Sequence, residues 1–323
     1  EGHILLTAAR LIGKTAAGKY EKRHGYTESA VGLEYSHKFT CPLMPAIQPN
    51  KEYDLAVSFL TPHYFVAQKV RAKKKIAWIH TDYSHVQVNI PSETAMWSAY
   101  DHIASISDAV TESFLNVFPS LKHKVVLIEN ILPERLIKRQ AVEPVGTDMP
   151  ADGCIRLLSV GRYCTAKNFD NIPDICARLV SAGLNVKWYI IGFGGGETLI
   201  RKKNEEAGME DRVILLGKKE NPYPYIKACD LYVQPSRYEG KCVTVREAQT
   251  LGKPVVITRY ATSKNQLEDG VDGVIVPMDN EGCAAGIAAL LRDFKQMELL
   301  SQACRSRDYS NRYEIEKLYQ IVG

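Results

Sequence analysis

Two glutamates eight positions apart are the residues in this sequence best suited to chemistry. Glu239 lies in a loop after an apolar segment, and Glu247 lies in the helix predicted to follow it. A carboxylate accepts hydrogen bonds from sugar hydroxyls, so Glu239 could bind a sugar and Glu247 a ribose. Between them, the free amides of Val243 and Thr244 at the helix start could hold phosphate oxygens. The alternative is one glutamate that favours the helix dipole and one ordinary exposed glutamate.

A pair of cations follows the apolar segment 155–160. Gly161 permits a tight turn, and Arg162 and Lys167 come directly after it. Two cations at one strand end, with a helix beginning beside them, suit a diphosphate. The alternative is two surface cations, and the residues alone leave both interpretations open.

A run of glycines follows the next apolar segment, 186–191. Gly192 and Gly194 occupy the first two places of a dinucleotide fingerprint, but Glu197 occupies the third. The run could allow a ligand to approach the backbone closely, or it could serve only as a turn. Because the fingerprint fails at Glu197, a dehydrogenase that uses NAD is the weaker interpretation.

These loops belong to a regular alternation of strands and helices in the second half of the chain. Nearly unbroken apolar strands are predicted at residues 155–160, 186–191, 212–216, 230–234, 254–258 and 273–276. Helices fit the segments between them. This pattern predicts an α/β fold with a parallel sheet covered on both faces. Ligands of such sheets bind at the carboxyl ends of the strands, where the candidate residues lie.

The first half of the chain has a weaker α/β pattern. Strands are predicted at residues 53–59, 75–79, 104–107 and 125–129, and residues before 50 have no clear pattern. The segment 138–153 has the composition of a linker, and 309–322 has the pattern of an amphipathic helix. We therefore predict one α/β domain at residues 1–150 and a second at residues 151–308. The helix at 309–323 is expected to pack back on the first domain.

Composition excludes several classes of protein. A chain of 323 residues suits two domains, and a net charge of +4 is too small to indicate nucleic acid as a partner. The 8 cysteines have no metal-site spacing and indicate a reducing compartment, so we expect a cytoplasmic protein. No apolar run reaches the ~20 residues of a membrane span. The cations at 73–75 are compatible with peripheral contact at the inner face of a membrane, or with a solvated surface.

Several ordered motifs resemble one known family. The resemblance covers about 125 residues and comprises Pro235-Ser236, Glu239-Gly240, Glu247-Ala248, residues 252–256, the loop from Gly161 to Lys167, and residues 270–273. The set is similar to the E-x7-E region of the retaining GT-B glycosyltransferases of family four, the glycosyl transferases group 1. This resemblance implies two Rossmann-like domains that face a cleft, with an acceptor-side domain at 1–150 and a nucleotide-sugar-binding domain at 151–308.

The resemblance also implies a role for each candidate residue. Arg162 and Lys167 would contact the donor diphosphate, Glu247 the ribose and Glu239 the transferred sugar. His80 follows a predicted strand that resembles the strand whose terminal histidine faces the donor sugar in this family. A purely structural histidine is the alternative.

Two departures from the family pattern are present. Lys241 and Cys242 stand where the family usually has Phe and Gly, which puts the contacts of this loop with the sugar in doubt. The family's N-terminal glycine-rich loop has no match. The first domain is therefore expected to be truncated or divergent at its start.

The implied function is transfer of a sugar from a nucleotide diphosphate sugar to an acceptor hydroxyl, with retention of anomeric configuration. The acceptor would be a carbohydrate or a lipid-linked molecule. The sequence contains no Asp-x-Asp pair, so neither a metal nor a cofactor is expected. Alternatives are an epimerase or phosphorylase on the same fold, and a catalytically silent module that binds nucleotide sugars.

Overall fold

The computed structural model describes residues 2–27 and 29–323, which divide into two compact units. Unit 1 comprises Glu1–Ile131 and Arg312–Gly323, and unit 2 comprises Leu132–Asn311. The first division between units thus falls earlier than the expected boundary between residues 150 and 151. Each unit contains a parallel sheet with helices, so the predicted α/β fold class is confirmed.

The elements alternate along most of the described chain. The helices are α1 (Gly2–His24), α2 (Val31–Thr40), α3 (Tyr64–Lys69), α4 (Ile90–Ser98), α5 (Asp108–Val117), α6 (Glu134–Gln140), α7 (Ile172–Ser181), α8 (Glu197–Glu206), α9 (Tyr223–Ala228), α10 (Val243–Thr250), α11 (Ser263–Gln266), α12 (Asn280–Arg292), α13 (Phe294–Ser306) and α14 (Glu314–Val322). The strands are β1 (Tyr53–Ser58), β2 (Ala72–Ile79), β3 (His102–Ser105), β4 (Val125–Leu127), β5 (Ile155–Val160), β6 (Val186–Ile191), β7 (Val213–Gly217), β8 (Leu231–Gln234), β9 (Val255–Thr258) and β10 (Val274–Val276).

The sheet of unit 2 has the strand order β10-β9-β8-β5-β6-β7, with every pair parallel. The order reverses between β5 and β8, because the chain builds outward from β5 in one direction and then in the other. Buried polar bonds join the strands around this point. Ser159 Oγ donates to Val233 O at 2.6 Å, and Trp188 Nε1 donates to Ser159 Oγ at 2.9 Å. In open α/β sheets, ligands bind at the strand ends beside such a reversal.

The sheet of unit 1 has the order β1-β2-β3-β4, also parallel. Aromatic rings fill its core, and α14 packs on the same unit. Leu318 and Ile321 of α14 lie against the core, Glu129 N donates to Glu314 Oε2 at 2.8 Å, and Lys317 Nζ donates to Leu127 O at 2.9 Å. The C-terminal segment thus returns to the unit that contains the start of the chain.

The region before residue 50 contains two helices, of 23 and 10 residues, that the sequence pattern does not predict. Helix α1 lacks a clear amphipathic period, because large apolar side chains such as Ile4 and Leu11 are exposed while Gly13 faces α2. A Cβ at Gly13 would lie 2.9 Å from Tyr35 O. The two helices therefore approach each other through a small residue, which an apolar pattern does not reveal.

The segment predicted as a linker, 138–153, belongs to unit 2 and packs against the rest of it. Helix α6 extends into it, and Met149 is buried. Lys219 Nζ lies 2.7 Å from Asp148 Oδ2, and Tyr225 Oη donates to the same oxygen at 2.6 Å. Polar side chains of this segment thus have partners elsewhere in unit 2. These contacts order the segment, and composition alone does not reveal them.

A buried carboxylate in unit 1 makes folding depend on pH. Glu93 is 2% exposed, and its Oε2 accepts hydrogen bonds from Tyr83 Oη at 2.9 Å and Trp97 Nε1 at 3.4 Å. Burial raises the pKa of Glu93 to about 7, although the bond from Tyr83 acts in the opposite direction. The folded state therefore keeps a proton that the unfolded state releases near its ordinary pKa.

We predict that Glu93→Gln flattens the pH dependence of stability. The stability that comes from the proton on Glu93 is fully present below the unfolded pKa and is lost as pH rises through about 7. Between pH 5 and pH 8, the free energy of unfolding should fall by about 2–3 kcal/mol more in the wild type than in the variant. Urea unfolding of both proteins across this range measures the difference. Parallel pH curves would contradict the prediction.

Candidate functional site

The loops that follow β5 and β8 meet beside the reversal of strand order. Lys167 Nζ lies 2.6 Å from Glu239 Oε1, and Ser236 Oγ donates to the same oxygen at 2.6 Å. A backbone bond from Arg237 N to Ala166 O, at 2.8 Å, joins the same two loops. The structure thus brings together a candidate cation and a candidate carboxylate that are far apart in sequence.

This ion pair is largely shielded from water. The Lys167 and Glu239 side chains are 17% and 10% exposed, and Lys167 Nζ also lies 3.9 Å from Cys242 Sγ. Burial alone would lower the pKa of Lys167, but the neighbouring Cys242 and Glu239 side chains raise it above its ordinary value. The ammonium therefore stays charged at neutral pH, and removal of either partner would leave a poorly solvated charge.

The start of α10 lies next to the end of β5. Thr244 Oγ1 donates to Val160 O at 3.5 Å and lies 3.2 Å from Cys242 Sγ. Cys242 precedes the helix, and its side chain makes no capping hydrogen bond to the first turn, while its own N–H donates to Gln266 Oε1 at 2.8 Å. The amides of the first turn, including those of Val243 and Thr244, have no partner within the helix and suit an anion.

Glu247 lies further along α10 and has a different partner. Tyr223 Oη donates to Glu247 Oε1 at 3.0 Å, and both side chains are half-buried. Burial raises the pKa of Glu247, and the bond from Tyr223 offsets part of this rise. Sequence reasoning missed Tyr223, because nothing in the local pattern indicates that a tyrosine 24 positions earlier reaches this carboxylate.

Arg162 and Lys167 share a loop but differ in their surroundings. Arg162 is exposed, and within residues 2–27 and 29–323 its side chain makes no hydrogen bond or ion pair. The stem of Lys167 lies across Gly161, where an added Cβ would be 3.2 Å from Lys167 Cε. Only Lys167 is therefore held by protein partners, and Arg162 is available to a ligand.

The glycine run after β6 packs against the loop after β5. Gly192 and Gly194 have φ angles of +154° and +150°. A Cβ at Gly192 would lie 1.8 Å from Gly161 O, and one at Gly194 would lie 2.7 Å from Tyr163 O. The backbone bond from Tyr163 N to Phe193 O, at 2.9 Å, closes the contact. These glycines thus pack against protein backbone and hold the loop that carries Lys167.

A separate cavity of about 470 Å³ opens between this loop and the start of α8. Its lining includes Tyr163, Thr165, Leu199, Asp170 and Arg237. Two bonds, of 2.9 and 3.0 Å, join the Arg237 guanidinium to the Asp170 carboxylate. The charges in this cavity are therefore paired with each other, and neither Lys167 nor Glu239 lines it.

His80 belongs to unit 1 and follows β2. It is half-buried, and its ring centroid lies 4.4 Å from that of Phe59. Burial lowers its pKa, so the imidazole is neutral at pH 7, and Nε2 is buried without a hydrogen-bond partner among the described residues. Its catalytic role stays a prediction.

The cations at 73–75 lie on β2, and two of them have partners. Lys73 Nζ is 2.7 Å from Asp54 Oδ1, and Lys75 Nζ donates to Ala67 O at 2.7 Å. No helix in the described part of the chain combines the length and apolar character needed to cross a membrane. Among the same residues, no group of three or more His, Cys, Asp or Glu side chains is arranged to hold a metal ion.

The segment that carries this site matches a known family. Residues 151–307 match the model described as glycosyl transferases group 1. These residues form a group 1 glycosyltransferase domain. The lipopolysaccharide core biosynthesis glycosyltransferase LpsE of Rhizobium meliloti is 29% identical over 154 residues, which are 47% of this chain and 44% of that protein. The amylovoran biosynthesis glycosyltransferase AmsK of Erwinia amylovora is 27% identical over 202 residues, which are 59% of this chain and 49% of that protein.

Solved structures share the fold. TarM has a TM-score of 0.67 at 17% identity, with 84% of this chain and 56% of that chain covered. HepE of Anabaena, in complex with UDP, has a TM-score of 0.66 at 15% identity, with 82% and 77% covered. At these identities the likeness concerns the fold, and it supports the GT-B assignment made from the sequence. The chain spans less than half the length of the two curated relatives named above.

We predict that Gly192→Ala destabilises the group 1 domain and that Gly195→Ala does not. A Cβ at Gly192 would clash with Gly161 O and would also strain the backbone, whereas Gly195 is exposed with nothing within 4 Å of an added Cβ. The first change should cost about 3 kcal/mol or more, and the second should cost less than about 1 kcal/mol. Calorimetric melting of both variants measures this. Equal melting temperatures would show that the glycine run does not support the loop.

Proposed function

We propose that this chain transfers a sugar from a nucleotide diphosphate sugar to an acceptor hydroxyl with retention of anomeric configuration. The observation that carries the proposal is the Lys167–Glu239 ion pair beside the uncapped start of α10, at the reversal of strand order in a group 1 domain. A strand-order reversal is where α/β sheets bind ligands, and this one has both an ammonium and free amides for an anion.

The proposed chemistry starts at the leaving group. As the bond from sugar to diphosphate breaks, negative charge develops on the diphosphate oxygens. Lys167 and the amides of Val243 and Thr244 stabilise this charge as fixed donors that need little rearrangement, and the exposed Arg162 adds a further cation. Glu247 accepts hydrogen bonds from the ribose, and so holds the nucleoside end of the donor.

Glu239 acts on the sugar as a hydrogen-bond acceptor and as a fixed negative charge. One of its oxygens already accepts from Lys167 and Ser236, which reduces its strength as a covalent nucleophile. A carboxylate held in this way stabilises the positive charge that develops on the sugar ring. Retention of configuration, together with the role of His80 at the reacting sugar, rests on the family resemblance.

The proposed substrates follow from the names of similar proteins. Solved structures of HepE contain UDP and UDP-glucose, so a uridine diphosphate sugar is the first donor to test. One relative from Campylobacter jejuni, 29% identical over 153 residues, is named for transfer to a diphospho-undecaprenol-linked sugar. A carbohydrate or lipid-linked acceptor at the cytoplasmic face of a membrane is the corresponding proposal for this chain.

The donor site is tested by isothermal titration with UDP and UDP-glucose. Lys167→Ala should weaken UDP binding by about 10- to 100-fold, because a charged hydrogen bond to the diphosphate is lost. Glu247→Ala should weaken it through the ribose. Lys202→Ala, which removes a lysine that is 70% exposed on α8, is the control and should bind as the wild type does. The melting temperature of each variant is recorded, so that unfolding is not mistaken for lost affinity.

Unchanged affinity in both Lys167→Ala and Glu247→Ala would place the site elsewhere. Release of UDP from UDP-glucose, measured with and without a panel of acceptors, then tests transfer itself. Donor binding without any sugar release would favour the catalytically silent binding module over the enzyme.

A further inference from the structure

Tyr223 is tied to a residue of the proposed donor site. It is the first residue of α9, and its hydroxyl donates to Glu247 Oε1 at 3.0 Å. Oε2 of Glu247 remains for other partners, because the bond from Tyr223 occupies only one side of the carboxylate. Tyr223 thus contacts the carboxylate proposed to hold the ribose while it leaves one oxygen open.

The backbone around Tyr223 is fixed on both sides. Before it, Lys219 pairs with Asp148 at 2.7 Å, and Asn221 Nδ2 donates to Gln140 O at 3.0 Å. After it, Tyr225 Oη donates to Asp148 Oδ2 at 2.6 Å. All of these partners lie in unit 2. The direction of the Tyr223 hydroxyl is therefore set by a segment anchored at three points.

A fixed hydroxyl donor restricts the orientation of a glutamate carboxylate. The terminal torsion of a glutamate side chain is broad, so an unrestrained carboxylate samples many orientations and loses that freedom when it binds a ligand. Burial and the nearby Glu247 carboxylate raise the pKa of Tyr223, which keeps its hydroxyl a donor at neutral pH. A neutral donor orients the Glu247 carboxylate without offsetting its negative charge. The Lys167 ammonium, in contrast, offsets the charge of Glu239.

We propose that Tyr223 is a positioning residue that orients the Glu247 carboxylate so that Oε2 faces the 2′-hydroxyl of the donor ribose. This inference rests on the proposed function, since it assigns Glu247 to the ribose. It implies that the contribution of Tyr223 to affinity depends on the ribose 2′-hydroxyl and disappears for a nucleotide that lacks it.

The test compares UDP with 2′-deoxy-UDP by isothermal titration. Tyr223→Phe removes only the hydroxyl, and should lower the affinity for UDP by about 5- to 10-fold while the affinity for 2′-deoxy-UDP changes less than about 2-fold. Tyr53→Phe is the control, since it removes a tyrosine hydroxyl of unit 1 that bonds to Gln48 Oε1 at 3.0 Å and plays no part in anchoring Tyr223. Its effect should be equal for the two nucleotides. In a Glu247→Ala background, Tyr223→Phe should have no further effect on UDP binding.

Each alternative outcome would overturn either the proposed role of Tyr223 or the proposed function of the chain. If the wild type binds UDP but Tyr223→Phe weakens both nucleotides equally, Tyr223 is only structural and the inference fails alone. The inference also fails if the wild type does not distinguish the two nucleotides, because Glu247 would then not bind the 2′-hydroxyl. If the wild type binds neither nucleotide, the proposed function fails and the inference fails with it.

Discussion

The contact between the Lys167 ammonium and the Glu239 carboxylate joins the loop after β5 to the loop after β8. These strands are neighbours in the sheet although two strands and their helices separate them in sequence. The ion pair therefore lies at the reversal of strand order, where open parallel sheets bind ligands. Glu239 and Cys242 keep the Lys167 ammonium charged despite its burial, and the pair holds that charge beside the start of α10, whose first amides have no partner within the helix.

The loops after β6 and β9 help to keep this contact in place. Gly192 and Gly194 let the loop after β6 press against the backbone of the loop after β5, which leaves little freedom at Lys167. Thr262 Oγ1 donates to Glu239 O at 2.7 Å, so the loop after β9 holds the other partner. A donor that the protein holds in place, as it holds the Lys167 ammonium, stabilises developing charge without the cost of reorganisation. This property suits the sugar transfer proposed here.

The sequence predicts the strands of unit 2 to within a residue or so, because each is apolar on both faces and bounded by polar loops. It also selects Lys167, Glu239 and Glu247, which the structure places at or near one end of the sheet. The bond from Tyr223 to Glu247 could not be predicted, since it depends on how α9 and α10 pack. Helices α1 and α2 could not be predicted either, because they meet through Gly13 and expose apolar side chains. The ion pair itself was unexpected, since its two members were assigned to different parts of the ligand.

A crystal structure of the protein with bound UDP tests the central claim most directly. The account predicts the diphosphate within about 3 Å of Lys167 Nζ and of the amides of Val243 and Thr244, with the ribose at Glu247. Density for the nucleotide in the cavity lined by Tyr163 and Arg237, or elsewhere on the chain with the Lys167–Glu239 region empty, would contradict it.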